Sequence, residues 1–310
     1  MGKHVTAKTK ELALGTALWG WAVQKEDCFE MLDYFVGSGY ELIDSAVNYP
    51  INADPECFRL AATYLGEWLQ SRKPQNAKVH YKVGSVDNSG GPETALAGSD
   101  LLLSAELARG VFGRYLHGIA VHWDNRDDPE AIAGSLSALR KLREEGLRIG
   151  FSGVQRPDLY YAGAPELADV WQIQVKENAA TQEARRRYEA YFPNAAYFSY
   201  GINMGGVKST KARPGNSLDL RGASEPAIAE RLRDAIQNWT DVAPRPETLN
   251  HLALMIAWSK PGLSGIVLGP RNIDQLVDTL TFWERLDQEA DATAVRERVN
   301  RLLEPGGSLE

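Results

Sequence analysis

Along most of the chain, short apolar runs alternate with longer segments whose apolar residues recur every three or four positions, the pattern that parallel β/α architectures write into a sequence. The runs predict strands at 40–44 (YELID, ending at Asp44), 79–83 (VHYKV), 118–123 (GIAVHW), 148–152 (RIGFS), 170–175 (VWQIQV), 195–199 (AAYFS) and 265–269 (GIVLG). A short run at 12–15 completes eight. Between them, Ile132, Leu136, Leu139 and Leu142 form one apolar stripe while Glu130, Arg140, Lys141 and Glu144 lie off it, so a helix there lays one face on a sheet. Cys28, Leu32, Phe35 and Val36 repeat this early in the chain, and Ile273, Leu276, Val277 and Leu280 repeat it late. Asp128 ahead of Pro129 reads as a helix cap and first turn, and Gly146 as the stop.

Eight such units predict one (β/α)8 TIM barrel over 1–304, with a disordered tail at 305–310. An open doubly wound sheet alternates in the same way, but no GxGxxG follows any of the strands, and that fold's dinucleotide site is built on one. Residues 201–222, after the seventh strand, are rich in Gly, Ser and Lys; on a barrel they sit at the C-terminal mouth, where long loops act as lids or stay disordered. A helix-like stretch at 225–239, closed by APRP at 243–246, extends this insertion ahead of the seventh barrel helix.

The balance of 34 basic against 41 acidic residues, a formal charge of −7, repels nucleic-acid phosphate. The RRR at 185–187 reads as the solvated face of a helix. Cys28 and Cys57 are the only cysteines and neither lies in a CxxC or Cys/His cluster, which points to a reducing cytoplasm rather than a disulfide or zinc framework. MGKHVT opens the chain with a loose myristoylation pattern at Gly2 and Thr6. It lacks a signal-peptide core, and nowhere is there the roughly 20-residue apolar run of a membrane span, so a soluble protein without a membrane or nucleic-acid partner is expected.

Barrel chemistry sits where strands end, and four polar residues stand at or near such ends: Asp44, Tyr49, Lys82 and His122. A phenol with pKa near 10 is a poor proton donor until a cation stabilises its phenolate. Lys82 supplies that cation, Asp44 pairs with the ammonium, and His122 offers an N–H to a bound carbonyl oxygen. Taken singly, each has an ordinary reading: a snorkelling lysine, a packing tyrosine, a capping aspartate. Their succession on consecutive strand ends favours a common site.

The segments LALGTALWGW (12–21), ELIDSAVNYP (41–50), YKVGS (81–85), AVHWDN (120–125), LRIGFSGV (147–154) and GPRNIDQLVDTL (269–280) resemble, in order, those of the aldo-keto reductases. The resemblance implies that Tyr49 is the general acid, that Lys82 and Asp44 tune it, and that His122 orients the carbonyl. It implies a nicotinamide cofactor, with Ser152 and Gln174 on the carboxamide and Phe198, followed by Ser199, stacking on the ring. Gly269, Arg271, Asn272 and Gln275 resemble the segment that binds the adenosine end, where Arg271 pairs with a 2′-phosphate, favouring NADP(H) over NAD(H). Trp19, Trp21 and Trp123 lie at strand ends and are placed in the substrate pocket, with rim packing as the alternative. The sequence departs from the family pattern at Gly153 (asparagine in the family), Tyr200 (proline) and Pro50 (glycine), and INADPECF is inserted before the next helix. Lys208 and Ser209 are left unplaced.

The activity so implied is NADPH-dependent reduction of an aldehyde or ketone, a sugar or cyclic carbonyl among them, to the alcohol. The same residues run in reverse describe an alcohol or sugar dehydrogenase. A nicotinamide-binding regulatory subunit with little turnover, and a barrel lyase or hydrolase without nicotinamide, are the readings from other classes.

Overall fold

The structure is a computed structural model that describes residues 10–207 and 225–304. Lys208, Ser209, most of the 201–222 segment, the MGKHVT pattern and the 305–310 tail lie outside the described residues. Strands β1 (Glu11–Gly15), β2 (Leu42–Ala46), β3 (Lys78–Val83), β4 (Leu116–His122), β5 (Arg148–Ser152), β6 (Gln172–Val175), β7 (Ala196–Ser199) and β8 (Leu263–Leu268) follow one another in space, all parallel. β8 pairs with β1 and closes the barrel. All eight expected strands are present. β2 continues two residues past Asp44, which therefore lies inside the strand rather than at its end.

The two faces of each strand bury different things, as the period of two demands. Leu12, Leu14, Ile43, Val79, Val83, Ile119, Val121, Phe151, Ile173, Ile266 and Leu268 point outward into the large core under the helices. Ala13, Leu42, Phe198 and Val267 form a separate small cluster inside the barrel. Asp44, His80, Lys82 and Gln174 share that interior: Gln174 on β6 donates to Asp44 on β2, and these strands are not neighbours, so their side chains meet only across the lumen.

The helices are α1 (Lys25–Gly37), α2 (Leu60–Arg72), α3 (Gly98–Phe112), α4 (Pro129–Glu144), α5 (Pro157–Gly163), α6 (Arg186–Glu189), α7 (Ala229–Asn238), α8 (Leu249–Ser259), α9 (Ile273–Glu289) and α10 (Ala292–Leu303). Asp128 caps α4 as expected, accepting from the Glu130 and Ala131 amides. The barrel helices after β5 and β6 shrink to the short α5 and α6, and α7 is shorter than the stretch the sequence suggests. Helix α10 is unforeseen. Its stripe of Val295, Val299, Leu302 and Leu303 is buried, but it is short and set among charges. No helix among the described residues is long and apolar enough to cross a membrane.

Gly265 shows how tightly the lumen is filled, since a Cβ there would lie 2.3 Å from the Phe198 ring and 2.6 Å from the Glu11 carbonyl oxygen. Gly265→Ala is therefore expected to cost about 1–3 kcal/mol by overpacking, read as a lower urea midpoint with unchanged slope. An unshifted midpoint would show slack in the lumen.

Candidate active site

The short runs that end β2, β3, β4, β5 and β6 bring five polar residues to one end of the lumen. The Lys82 ammonium donates to one carboxylate oxygen of Asp44 and the Gln174 amide donates to the other. Ser152 ends β5 and is in register with His122 on one side and Gln174 on the other. Tyr49 lies three residues beyond β2, and the Lys82 nitrogen sits 5.0 Å from its ring centre. The ring of His122 meets that of Tyr49 edge to face at 6.1 Å. Asp44, Tyr49, Lys82 and His122, singled out from three motifs, are thus assembled at one spot.

The electrostatics follow from burial. Desolvation alone would raise the Asp44 carboxyl, but the Lys82 ammonium, with His80, pulls it down to about 2. Burial lowers Lys82 while Asp44 works against that shift; the direction that governs the pair is Asp44's, a carboxylate kept charged by the cation beside it. Burial, reinforced by the charge of Lys82, takes His122 down to about 3, so the imidazole is neutral. From the sequence, Lys82 is expected to acidify the Tyr49 phenol. In the folded chain the phenol is instead pushed well above 10, first by burial and then by the Asp44 charge. The ammonium is engaged by Asp44 and lies over the ring face.

Two residues without a motif complete this core. Asn48, immediately before Tyr49, places its amide oxygen 3.1 Å from His122 Nδ1. His80, two residues before Lys82 and on the same face of β3, sits 3.6 Å from the Asp44 carboxylate and 3.5 Å from the Gln174 amide. A Cβ at Gly118 or Gly150 would come within 3.0 Å of that imidazole or closer, so the floor of the lumen is shaped around it. The period of two flags His80 as inward; nothing in the sequence flags Asn48.

The cofactor residues read from the sequence divide. Ser152 and Gln174 face the lumen. Phe198 does too, but deep within it: only 1% exposed, it packs on Ala13, Leu42 and Val267. Ser199 points outward and donates to the Glu177 carbonyl. Tyr200, noted above only as a departure, continues the inward face past the strand end. It packs on the same inner cluster as Phe198, and its phenol is pushed up to about 12 by burial, with Ser152 and Lys82 among the groups opposing that shift. At the far end, Asn272 caps α9 by accepting from the Gln275 amide, and Gln275 accepts from the Arg271 amide. Gly269 is exposed, with open space where a Cβ would be.

The three tryptophans divide as well. Trp19 is 1% exposed and belongs to the outer core, because the chain turns back after β1 through the Trp19 amide donating to the Thr16 carbonyl. Trp21 is half-buried. Trp123 is 38% exposed, adopts φ +58°, and lays its indole 4.4 Å from the His122 ring. A Cβ on Gly153 would lie 2.5 Å from that indole, so the side chain missing at 153 leaves the space Trp123 fills. Two clefts elsewhere, of 310 and 400 Å³, lie at the N-terminal ends of β5 to β7 and beside Glu177, Arg185 and Lys260.

A closed parallel barrel with this constellation at the C-terminal ends of its strands defines an oxidoreductase of the aldo-keto type. The chain belongs to the aldo/keto reductase family, whose profile matches residues 11–297, and is an NAD(P)H-dependent oxidoreductase. Over 342 aligned residues it is 32% identical to Protein tas of Escherichia coli (strain K12), with 96% of each chain covered. The same figures hold for Protein tas of Shigella flexneri. Its fold is similar to that of the aldo-keto reductase AKR11C1 from Bacillus halodurans (holo form), with a TM-score of 0.67 and 17% identity over 94% of this chain and 91% of that one. The residues present fit a nicotinamide dinucleotide: a hydroxyl and an amide at adjacent strand ends match the donor and acceptor of a carboxamide, and Arg271 at the start of the 17-residue helix α9 matches a phosphate.

Removing one partner of the buried pair leaves the other charge alone. Lys82→Met is expected to cost about 3–5 kcal/mol, and adding Asp44→Leu to recover most of it, measured by urea unfolding. A single variant as stable as the double would contradict a paired charge. Because the folded Asp44 carboxyl titrates near 2 and an unfolded one near 3.9, its contribution is present above about pH 4 and lost as pH falls toward 2.

Proposed function

We propose that this protein reduces an aldehyde or ketone to the alcohol with NADPH, Tyr49 acting as general acid. The observation that carries the reading is a half-buried, neutral phenol held between an ammonium and a neutral imidazole. When bound, the cofactor supplies the hydride that goes to the carbonyl carbon. Tyr49 holds a proton on Oη and gives it to the carbonyl oxygen as negative charge builds there. The Lys82 ammonium, bonded to Asp44, lies over the ring on which that charge is left. Asp44 keeps that lysine charged, and the His122 ring bounds the site on the other side.

Ser152 and Gln174 hold the carboxamide. Tyr200, rather than the deeper Phe198, is placed to present a ring to the nicotinamide, since it stands beyond the strand end while Phe198 is enclosed. Trp123, with Trp21, gives the substrate an aromatic wall that suits ring or sugar faces. Arg271 pairs with the 2′-phosphate of NADP(H). The small-molecule carbonyl and this cofactor are the partners the reading requires, and cytoplasmic NADPH is its reductant.

Tyr49→Phe is expected to lower kcat about 10²- to 10⁴-fold while NADPH still quenches tryptophan fluorescence with unchanged affinity. Wild-type turnover in that variant would refute the assignment. Arg271→Ala is expected to weaken NADPH binding by about one to two orders of magnitude, the range of a charged hydrogen bond, and to leave NADH binding nearly unaltered. Equal losses for both cofactors would remove the basis for NADPH preference.

A further inference from the structure

Helix α3 carries two apolar faces where docking on the barrel needs one. Leu101, Ala105, Ala108 and Phe112 are buried beneath it. Leu103, Leu107 and Val111 recur four residues apart on the outer side and stand 60%, 48% and 39% exposed. These are three of the seven large apolar side chains exposed among the described residues, and the other four, Tyr34, Val86, Trp123 and Tyr161, lie singly on other elements. An isolated exposed apolar residue needs no explanation, whereas a continuous stripe marks a contact. The charges of the helix are sorted around that stripe. Glu106 and Arg109 pair with each other, and Arg109 also pairs with Glu145. Asp100, seven residues before Leu107, has no hydrogen bond or ion pair among the described residues. Arg114, seven residues after Leu107 and just beyond the helix, donates only to neutral oxygens, the Pro74 carbonyl and the Tyr115 hydroxyl.

We propose that this face of α3 docks on the same face of a second copy of the chain, the two helices running antiparallel about a two-fold axis at Leu107. A two-fold contact has to be complementary to itself, and here residues equally far before and after Leu107 meet across the axis. Leu107 meets Leu107, Leu103 meets Val111, and Asp100 meets Arg114 at both ends. Ser104 comes opposite Gly110, where nothing lies within 4 Å of the place a Cβ would take, so no side chain there holds the backbones apart. The N-terminal end of each helix also comes beside the C-terminal end of the other, as the helix dipoles favour. A parallel pair would instead set Asp100 against Asp100 and Arg114 against Arg114. The match between the two ends of one helix is what commits the face to a copy of itself.

One helix face from each copy makes a small interface, so association is expected in the micromolar range. Sedimentation velocity of the full chain is expected to show single chains at about 1 µM and mostly dimers at about 100 µM. Leu107→Glu sets like charges together on the axis and is expected to stay single at both concentrations, with unchanged far-UV dichroism. Asp100→Arg and Arg114→Asp each put like charges together at both ends and are each expected to weaken association about tenfold or more. Mixed in equal amounts, the two variants present opposite charges to each other at both ends, and the mixture is expected to regain wild-type association. A wild-type chain still single at about 100 µM overturns the proposal and leaves the face to another occupant; a dimer that survives Leu107→Glu overturns it too. Charge variants that associate no better mixed than alone overturn the antiparallel arrangement. Should a charge variant fail to fold, the concentration series and Leu107→Glu decide.

Discussion

The site depends on a single buried ion pair inside the barrel, Lys82 on Asp44. Two charges taken out of water cost several kcal/mol each unless every lone pair and proton finds a partner. Asp44 meets that demand with the ammonium on one oxygen and the Gln174 amide on the other, His80 standing beside them. The requirement ties β2 and β3 to β6, across the lumen rather than along the ladder. It also fixes what surrounds the pair. Burial drives Tyr49, His122 and Tyr200 to their neutral forms, the Asp44 charge adding to the shift at Tyr49 and the Lys82 charge to that at His122.

The assembly of Asp44, Tyr49, Lys82 and His122 was legible in the sequence because strand runs and their ends are visible there, and side chains two apart share a face. Depth along the lumen was not legible. Phe198 and Tyr200 both face inward, but which of them reaches the mouth depends on what lies opposite, and Gly265 opens a hole into which Phe198 sinks. Ser199, between them, is turned outward by the same alternation. Trp19 follows a strand closely enough to suggest a rim residue, yet a backbone turn at Thr16 carries it into the outer core. Asn48 had no signal of its own, since its meaning lies in a contact with a residue 74 positions away.

Gly153 and Trp123 form one adaptation rather than two. The Trp123 backbone lies in the left-handed region, which costs a residue with a bulky side chain roughly 1–2 kcal/mol and persists only where its surroundings demand it. What that conformation achieves is an indole laid over His122 and into the space above residue 153. An asparagine at 153 and the indole as placed exclude each other sterically. The wall of the mouth here is aromatic where the family pattern puts an amide, so on the proposed reading Ser152 and Gln174 are left to hold the carboxamide.

A phenol pushed above 10 looks at first like an obstacle to acid catalysis. Burial raises it first, and the Asp44 charge adds to that rise. Acid strength at rest, however, is not what the reaction calls on. A carbonyl receiving hydride becomes an alkoxide, whose conjugate acid is about as weak as water, so proton transfer from even a weakened phenol runs downhill once the hydride has moved. Until then a high pKa keeps the proton in place, and the phenol is never lost as phenolate at working pH. On the proposed reading of Tyr49 as the acid, burial sets the order of events: the proton follows the hydride.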